Sequence, residues 1–313
     1  LPFSLPWLMP YFEEKTIHFL RPWGWSPYML SILNGLFPFC SSDFLKSPAA
    51  CWNEQRRDLY SRLTSLDVLR RLNSDSALKG LVSQAHLPKK CNTLEEVQLA
   101  HESFEKSVLK APWSSSGRGV QPLKTGEIHA SILNWCRGVL KDQGYAMVEP
   151  WHNKVIDFSF QFEFQPNKAQ FIGVSFFETD EQGRYLGNWL NPQYEGRKNE
   201  AYLYVNKLID LLSSKLKFAL EQVLGCEYEG HLGVDAMVVE ENGTFRIHPC
   251  VEINLRYNMG LVALKLAEKV GNTFNLFRIL SVQQLQERNS ENYFLLTEVH
   301  AETQVCAILT NEV

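Results

Sequence analysis

A mixed α+β fold is predicted by three observations. Two segments, 157–164 and 171–177, alternate apolar and polar residues with period 2, as half-buried antiparallel strands do. Asn242-Gly243 sits between two more apolar runs, 232–239 and 244–254, and is a strong hairpin signal. Long stripes of apolar residues at helical spacing fill 127–142 and 201–224.

Taken in order, residues 1–50 cluster aromatics with prolines, as in Pro22-Trp23-Gly24-Trp25-Ser26-Pro27, which predicts packed loops with short helices. Over 53–72, Leu59, Leu63, Leu66 and Leu69 recur at helical spacing with Arg and Asp between them, predicting one amphipathic helix. A new unit begins near Leu87-Pro88, where Asn92 or Thr93 can cap a helix over 95–105. A strand over 107–110, a Ser/Gly loop at 114–119, the helix 127–142 and a strand over 145–148 follow. The helical pattern 201–224 stops at Gly225, where a terminating glycine is expected. Between strand and helix, 178–197 is polar and aromatic and reads either as a substrate loop or as a solvent-exposed connection. The expected division is 1–82, 83–150 and 151–313.

Composition excludes several classes. The 313 residues are 45% hydrophobic, enough for sizeable cores, and a rule of about 150 residues per domain suggests about two domains. Against 35 Asp and Glu stand 31 Lys and Arg, a net charge of −4, so no basic excess is available for a nucleic-acid backbone. No apolar run is long enough for a membrane span. The seven cysteines, at 40, 51, 91, 136, 226, 250 and 306, form no CxxC pair and read as reduced thiols of a cytoplasmic protein. Three prolines in the first ten residues, without a basic stretch, argue against a signal peptide, and the opening on Leu1 rather than Met leaves the native start open. Oligomeric state is not legible.

Two constellations point to chemistry. Lys110 ends an apolar strand and is followed by Ser114, Ser115, Ser116, Gly117, Arg118 and Gly119, a loop whose small side chains leave backbone N–H groups open to phosphate oxygens. The alternative is a plain flexible connection. Counting outward from the Asn242-Gly243 turn places Asp235 opposite Cys250, and by parity Glu252 and Asn254 share that face. Two carboxylates and an amide among apolar strand residues suit Mg²⁺, a hard cation with oxygen ligands; the competing reading is a solvated sheet face. His129, His152, His231 and His248 lack ligand spacing and read as surface or satisfied histidines, and Cys226 and Cys250 as small core residues.

In order and spacing, Lys110 to Gly119, Val148-Glu149-Pro150, Asp157, Gly233-Val234-Asp235 and Glu252-Ile253-Asn254-Leu255-Arg256 resemble the nucleotide-binding motifs of ATP-grasp enzymes, over about residues 85–275. The resemblance implies an ATP-grasp fold, two α+β lobes clasping ATP, preceded by a small N-terminal domain to which the segment Pro22 to Ser26 is similar. It further implies Lys110 on the phosphates, 114–119 as a lid, backbone groups of Val148 and Glu149 at the adenine edge, and Asp157 at the ribose. Asp235, Glu252 and Asn254 would ligate Mg²⁺, and Arg256 would face the reacting group. The implied activity is an ATP- and Mg²⁺-dependent ligase that joins a small-molecule carboxylate to an amine or other nucleophile through an acyl phosphate. A small-molecule kinase and an inactive nucleotide-binding regulator are the alternatives. Two departures stand out: Gly233 replaces an Arg frequent in peptide-forming members, and the second phosphate-contacting basic residue is open among Arg70, Arg71 and Lys79.

Overall fold

The computed structural model describes residues 16–114, 119–180, 183–300 and 303–312. Short helices α1 (Pro27–Leu33), α2 (Ser42–Lys46) and α3 (Glu54–Leu59) precede the longer α4 (Arg62–Ser74), with 3-10 turns at Asn34–Phe39 and Pro48–Ala50. The single helix expected over 53–72 is therefore two. Asn53 caps the first by accepting from the Arg56 N–H, and the extended Ser61 starts the second.

A four-stranded antiparallel sheet follows, built from β1 (Lys89–Cys91), β2 (Ser107–Lys110), β3 (Val120–Leu123) and β4 (Ala146–Pro150) in the order β1-β4-β2-β3. Two helices pack on it, α5 (Leu94–Glu102) and α6 (Ala130–Gln143), around Val97, Leu109, Cys136, Ala146 and Val148. Thr93 caps α5, its hydroxyl accepting from the Glu96 N–H at 3.2 Å.

The second sheet has eight strands. These are β5 (Lys154–Gln165), β6 (Lys168–Thr179), β7 (Tyr185–Trp189), β8 (Gly230–Glu241), β9 (Thr244–Asn254), β10 (Leu276–Ser281), β11 (Tyr293–Leu295) and β12 (Val305–Thr310). They lie in the order β11-β12-β10-β7-β6-β5-β8-β9. The remaining helices are α7 (Gly196–Asn206), α8 (Ile209–Leu224), α9 (Met259–Val270) and α10 (Val282–Gln286). The pattern over 201–224 thus spans two helices, broken at Lys207 and Leu208. Residues 178–197 are not simply a loop, because β7 enters the sheet between β6 and β10 and buries Asn188 and Trp189.

Period-2 alternation in β5 sends Phe158, Phe160, Phe162 and Phe164 to one face, where all are buried with Leu212, Leu216 and Leu220 of α8 and Val68, Leu69 and Leu72 of α4. Each such ring contributes roughly 2–3 kcal/mol on leaving water. The same burial anchors α4, and with it Arg62, to the larger sheet. No described helix is long and apolar enough to cross a membrane.

The turn of the β8/β9 hairpin has positive φ at both Asn242 and Gly243, the backbone that two-residue hairpins favour. Next to the turn, Met237 pairs with His248 as counting predicts, but Asp235 pairs with Glu252 and not with Cys250. Ala236 alone spans the three residues 249–251. Pro249, which has no N–H to give the ladder, lies in this irregular stretch. Because β9 gains two residues there, an even number, Asp235, Glu252 and Asn254 still share a face.

Candidate active site

The hairpin brings the acidic pair together directly. Asp235 and Glu252 are cross-strand partners, and the Asn254 amide donates to Asp235 Oδ2 at 2.9 Å. Desolvation between the sheets, reinforced by the neighbouring Glu252 charge, pushes the Asp235 carboxyl up to about 7, against hydrogen bonds from Ser159 and Asn254. Two crowded carboxylates form a hard-oxygen pair whose repulsion a divalent cation relieves, so they fit Mg²⁺; Asn254 turns its N–H₂ toward them, and its oxygen accepts from Arg256 Nη2 at 3.0 Å.

Opposite them, the four-stranded sheet contributes Lys110 at the end of β2 and Glu149 on β4, with Lys110 Nζ donating to Glu149 Oε2 at 2.5 Å. Both side chains are nearly buried, so removing either partner strands a charge. Gly119 closes the loop after Lys110, its carbonyl accepting from the Ala111 N–H at 2.8 Å. A Cβ there would lie 2.3 Å from that of Ser114, so the backbone crossing demands glycine. Ser115, Ser116, Gly117 and Arg118 of the expected lid lie outside the described residues.

Sequence reasoning missed Arg62. At the start of α4 it is buried, its Nε donates to the Ala111 carbonyl at 3.1 Å, its Nη2 to Ser114 Oγ at 3.3 Å, and its Nη1 lies 3.4 Å from Glu252 Oε2. It thus ties the phosphate-loop side to the carboxylate side. Arg70, Arg71 and Lys79 are all exposed, and none lines the cavity. An Arg at the head of an amphipathic helix carries no local mark of this role.

These groups surround one cavity of about 510 Å³ between the two sheets, lined among others by Arg62, Lys110, Ser114, Glu149, Asp157, Asp235 and Glu252. At its far side Asp157 accepts from Lys154 Nζ at 2.5 Å and from Thr179 Oγ1 at 3.0 Å. Burial still raises its carboxyl above the ordinary range. Val148 does not line the cavity: it is buried within β4, paired with both β1 and β2, while Glu149 lines it and the link 150–153 follows along its wall.

Arg256 lies beyond the end of β9 and lines a second, smaller cavity of about 130 Å³ with Trp23, Gly24 and Tyr257. Strand alternation does not carry it into the first cavity. It reaches the carboxylate cluster indirectly, Nη2 donating to Asn254 Oδ1 at 3.0 Å. At Gly233 a Cβ would fall 2.6 Å from Asn258 Nδ2, so a longer residue there would require the Asn258 side chain to shift.

The histidines differ from expectation. His152 and His248 both line the first cavity, and His152 Nε2 and His248 Nδ1 are buried without a hydrogen-bond partner among the described residues. Burial above all, then neighbouring imidazole and the Lys110 ammonium, holds His152 down to about 4 and His248 to about 3, so both are neutral at pH 7. Cys250 is buried as expected, whereas Cys226 is exposed.

No family model matches the chain. The butirosin acyl-carrier protein L-glutamate ligase of Niallia circulans is 24% identical over 210 residues, which is 65% of this chain and 47% of that protein. The chain therefore spans about half the length of the curated relative it matches. Among solved structures, the biotin carboxylase of Campylobacter jejuni bound to a β,γ-ATP ligand superposes with a TM-score of 0.53 at 12% identity, covering 82% of this chain and 63% of that one. The ATP complex of carboxyaminoimidazole ribonucleotide synthase from Aspergillus clavatus also gives 0.53, at 13% identity over 90% and 74% of the two chains.

Proposed function

We propose that this chain, whose fold is the ATP-grasp fold, is an ATP- and Mg²⁺-dependent ligase that activates a carboxylate as an acyl phosphate and passes it to an amine or other nucleophile. One observation carries the reading: Lys110, Asp157, Asp235, Glu252 and Arg62, far apart in sequence, converge on one cavity between the two sheets. The division 1–82, 83–150 and 151–313 is part of the same proposal. The small sheet supplies Lys110, the large sheet the carboxylates, and the first segment Arg62.

Each residue has a role set by its chemistry. Asp235 and Glu252 would hold Mg²⁺, which neutralises phosphate charge when bound, and Asn254 would join them by turning its amide so that the oxygen leaves Arg256. Lys110 supplies a nearly buried ammonium for a phosphate oxygen, and Glu149 fixes its position in the apo protein. Asp157 offers an acceptor for a ribose hydroxyl. Arg62, with donors already spread over Ser114 and Glu252, holds the loop and the carboxylates in register and presents positive charge where phosphoryl charge develops. Arg256, acting from the second cavity through Asn254, faces the acyl or nucleophile side.

The curated relative's name pairs an acyl-carrier protein with L-glutamate, so a carrier-bound acyl group and an amino acid are the first substrates to test. ADP release is measured against panels of carboxylates and amines, with hydroxylamine as trap. Turnover that requires a carboxylate and yields a hydroxamate supports the ligase. Turnover that requires a hydroxyl acceptor and yields none replaces it with a kinase, and tight nucleotide binding without turnover replaces it with a regulator.

A further inference from the structure

Behind the link that walls the cavity, three distant segments meet. His86 ends the 3-10 turn Gln84–His86, His152 lies between β4 and β5, and Glu241 ends β8. One potential ligand atom from each lies within 4.8 Å of the other two, and all three side chains are half-buried. His86 Nδ1 is already 3.2 Å from Glu241 Oε1. The His86 and His152 rings stand edge to face with centroids 5.6 Å apart. A second, independent observation is the buried His152 Nε2, which finds no partner among the described residues, although nearly every buried polar atom in a native protein has one.

We propose that His86, His152 and Glu241 form a binding site for a divalent transition-metal cation of the zinc type. Two imidazole nitrogens and one carboxylate oxygen are donors of intermediate hardness, which favour zinc and its neighbours over Mg²⁺. Tetrahedral bonds of about 2.0 Å need ligand atoms about 3.3 Å apart. The His86 to Glu241 pair is at that spacing already, and modest side-chain rotation closes the rest. Neutral His152 is in the protonation state a metal requires. The three residues leave a fourth position for water. Bound metal would cross-link the turn after α4, the link 150–153 and the tip of the β8/β9 hairpin, stiffening the wall of the cavity. The site shares no ligand with the Asp235 and Glu252 cluster, although His152 lines the same cavity, and it stands whether or not the ligase reading does.

The sequence gives no hint of this site, since its ligands follow none of the short spacings that mark zinc motifs. The competing account is a simple ion pair between His86 and Glu241 with His152 as a neutral bystander. Full-length protein stripped with EDTA and dialysed is titrated with ZnCl₂, and separately with MgCl₂, by calorimetry. One equivalent of zinc binding in the micromolar range or tighter is expected, any magnesium event belonging to the Asp235 and Glu252 cluster and persisting in the His86 and His152 variants, and the melting temperature should rise by about 5–10 °C at saturating zinc. E241Q, H86Q and H152Q should each weaken zinc at least about tenfold and remove most of that rise. Metal-free melts show which variants are folded, and any one folded variant decides the matter. Cobalt substitution provides a second readout: a visible spectrum without a thiolate charge-transfer band is expected. Zinc affinity unchanged in a folded variant, a thiolate band from the cysteines, or no zinc binding up to high micromolar concentration would overturn the proposal.

Discussion

Replacing Asp235 by Asn removes a carboxyl that the metal-free fold holds against its preference. Its folded value is pushed from 3.8 to about 7 by desolvation and then by Glu252. A raised carboxyl value means that the unfolded chain gives up its proton first as pH rises. Wild-type stability therefore falls from about pH 4 to about pH 7 and is flat above. Roughly three units at 1.36 kcal/mol each set a ceiling of about 4 kcal/mol on this penalty. Asn keeps the shape, its carbonyl oxygen can still accept from the Asn254 amide, and Ser159 can turn to accept from the new N–H₂. Without Mg²⁺, D235N should thus match wild type near pH 4 and exceed it at pH 8 by about 1–4 kcal/mol, a rise of roughly 2–10 °C in melting temperature. Scanning calorimetry at both pH values, with and without Mg²⁺, measures this. Mg²⁺ should stabilise wild type and leave the variant almost unmoved. A variant less stable than wild type at pH 8 without metal, or one with the wild-type pH slope, would show that the carboxylate is structurally satisfied and would refute the reasoning.

Substitutions at three further positions probe the site and the packing beside it. Lys110→Ala deletes a charge-assisted phosphate contact of roughly 1.5–3 kcal/mol, so ATP should bind about ten- to a hundredfold more weakly in calorimetry. Unchanged affinity would leave Lys110 only as the partner of Glu149. For Arg256, both Ala and Lys variants should lower kcat and kcat/KM together while ATP affinity stays near wild type, because the guanidinium reaches Asn254 and not the first cavity; near-normal rates in both would remove its role. Gly260→Ala should destabilise by about 1–3 kcal/mol in denaturant titration, since its Cβ would lie 2.4 Å from both Gln161 Nε2 and Ser175 Oγ. A neutral effect would mean that this buried polar cluster yields easily.

The acidic face of the hairpin was legible because side-chain parity is local: once Asn242-Gly243 fixes the turn, Asp235, Glu252 and Asn254 must share a side unless an odd number of residues intervenes. The register itself was not legible, since the irregularity near Pro249 is visible only against its partner strand. Strand β7 was missed for a similar reason. Its residues Tyr185 to Trp189 alternate weakly, and their burial comes from neighbours on both sides, β6 and β10, that lie outside the local sequence.

By itself the sequence determined the alternating strands, the helical stripes, the tight turn and hence the α+β class, because each depends on residues a few positions apart. Lys110, Asp235 and Glu252 stood out for the same reason, as polar groups set in apolar strands, whereas Asp157 was reached only through the resemblance. Only the tertiary structure decided that Arg62 bridges Ser114 and Glu252, that Arg256 lies in a second cavity, and that His86, His152 and Glu241 meet. Those juxtapositions are set by how α4 and the hairpin pack on the sheets, and distances between remote segments leave no periodic trace along a chain.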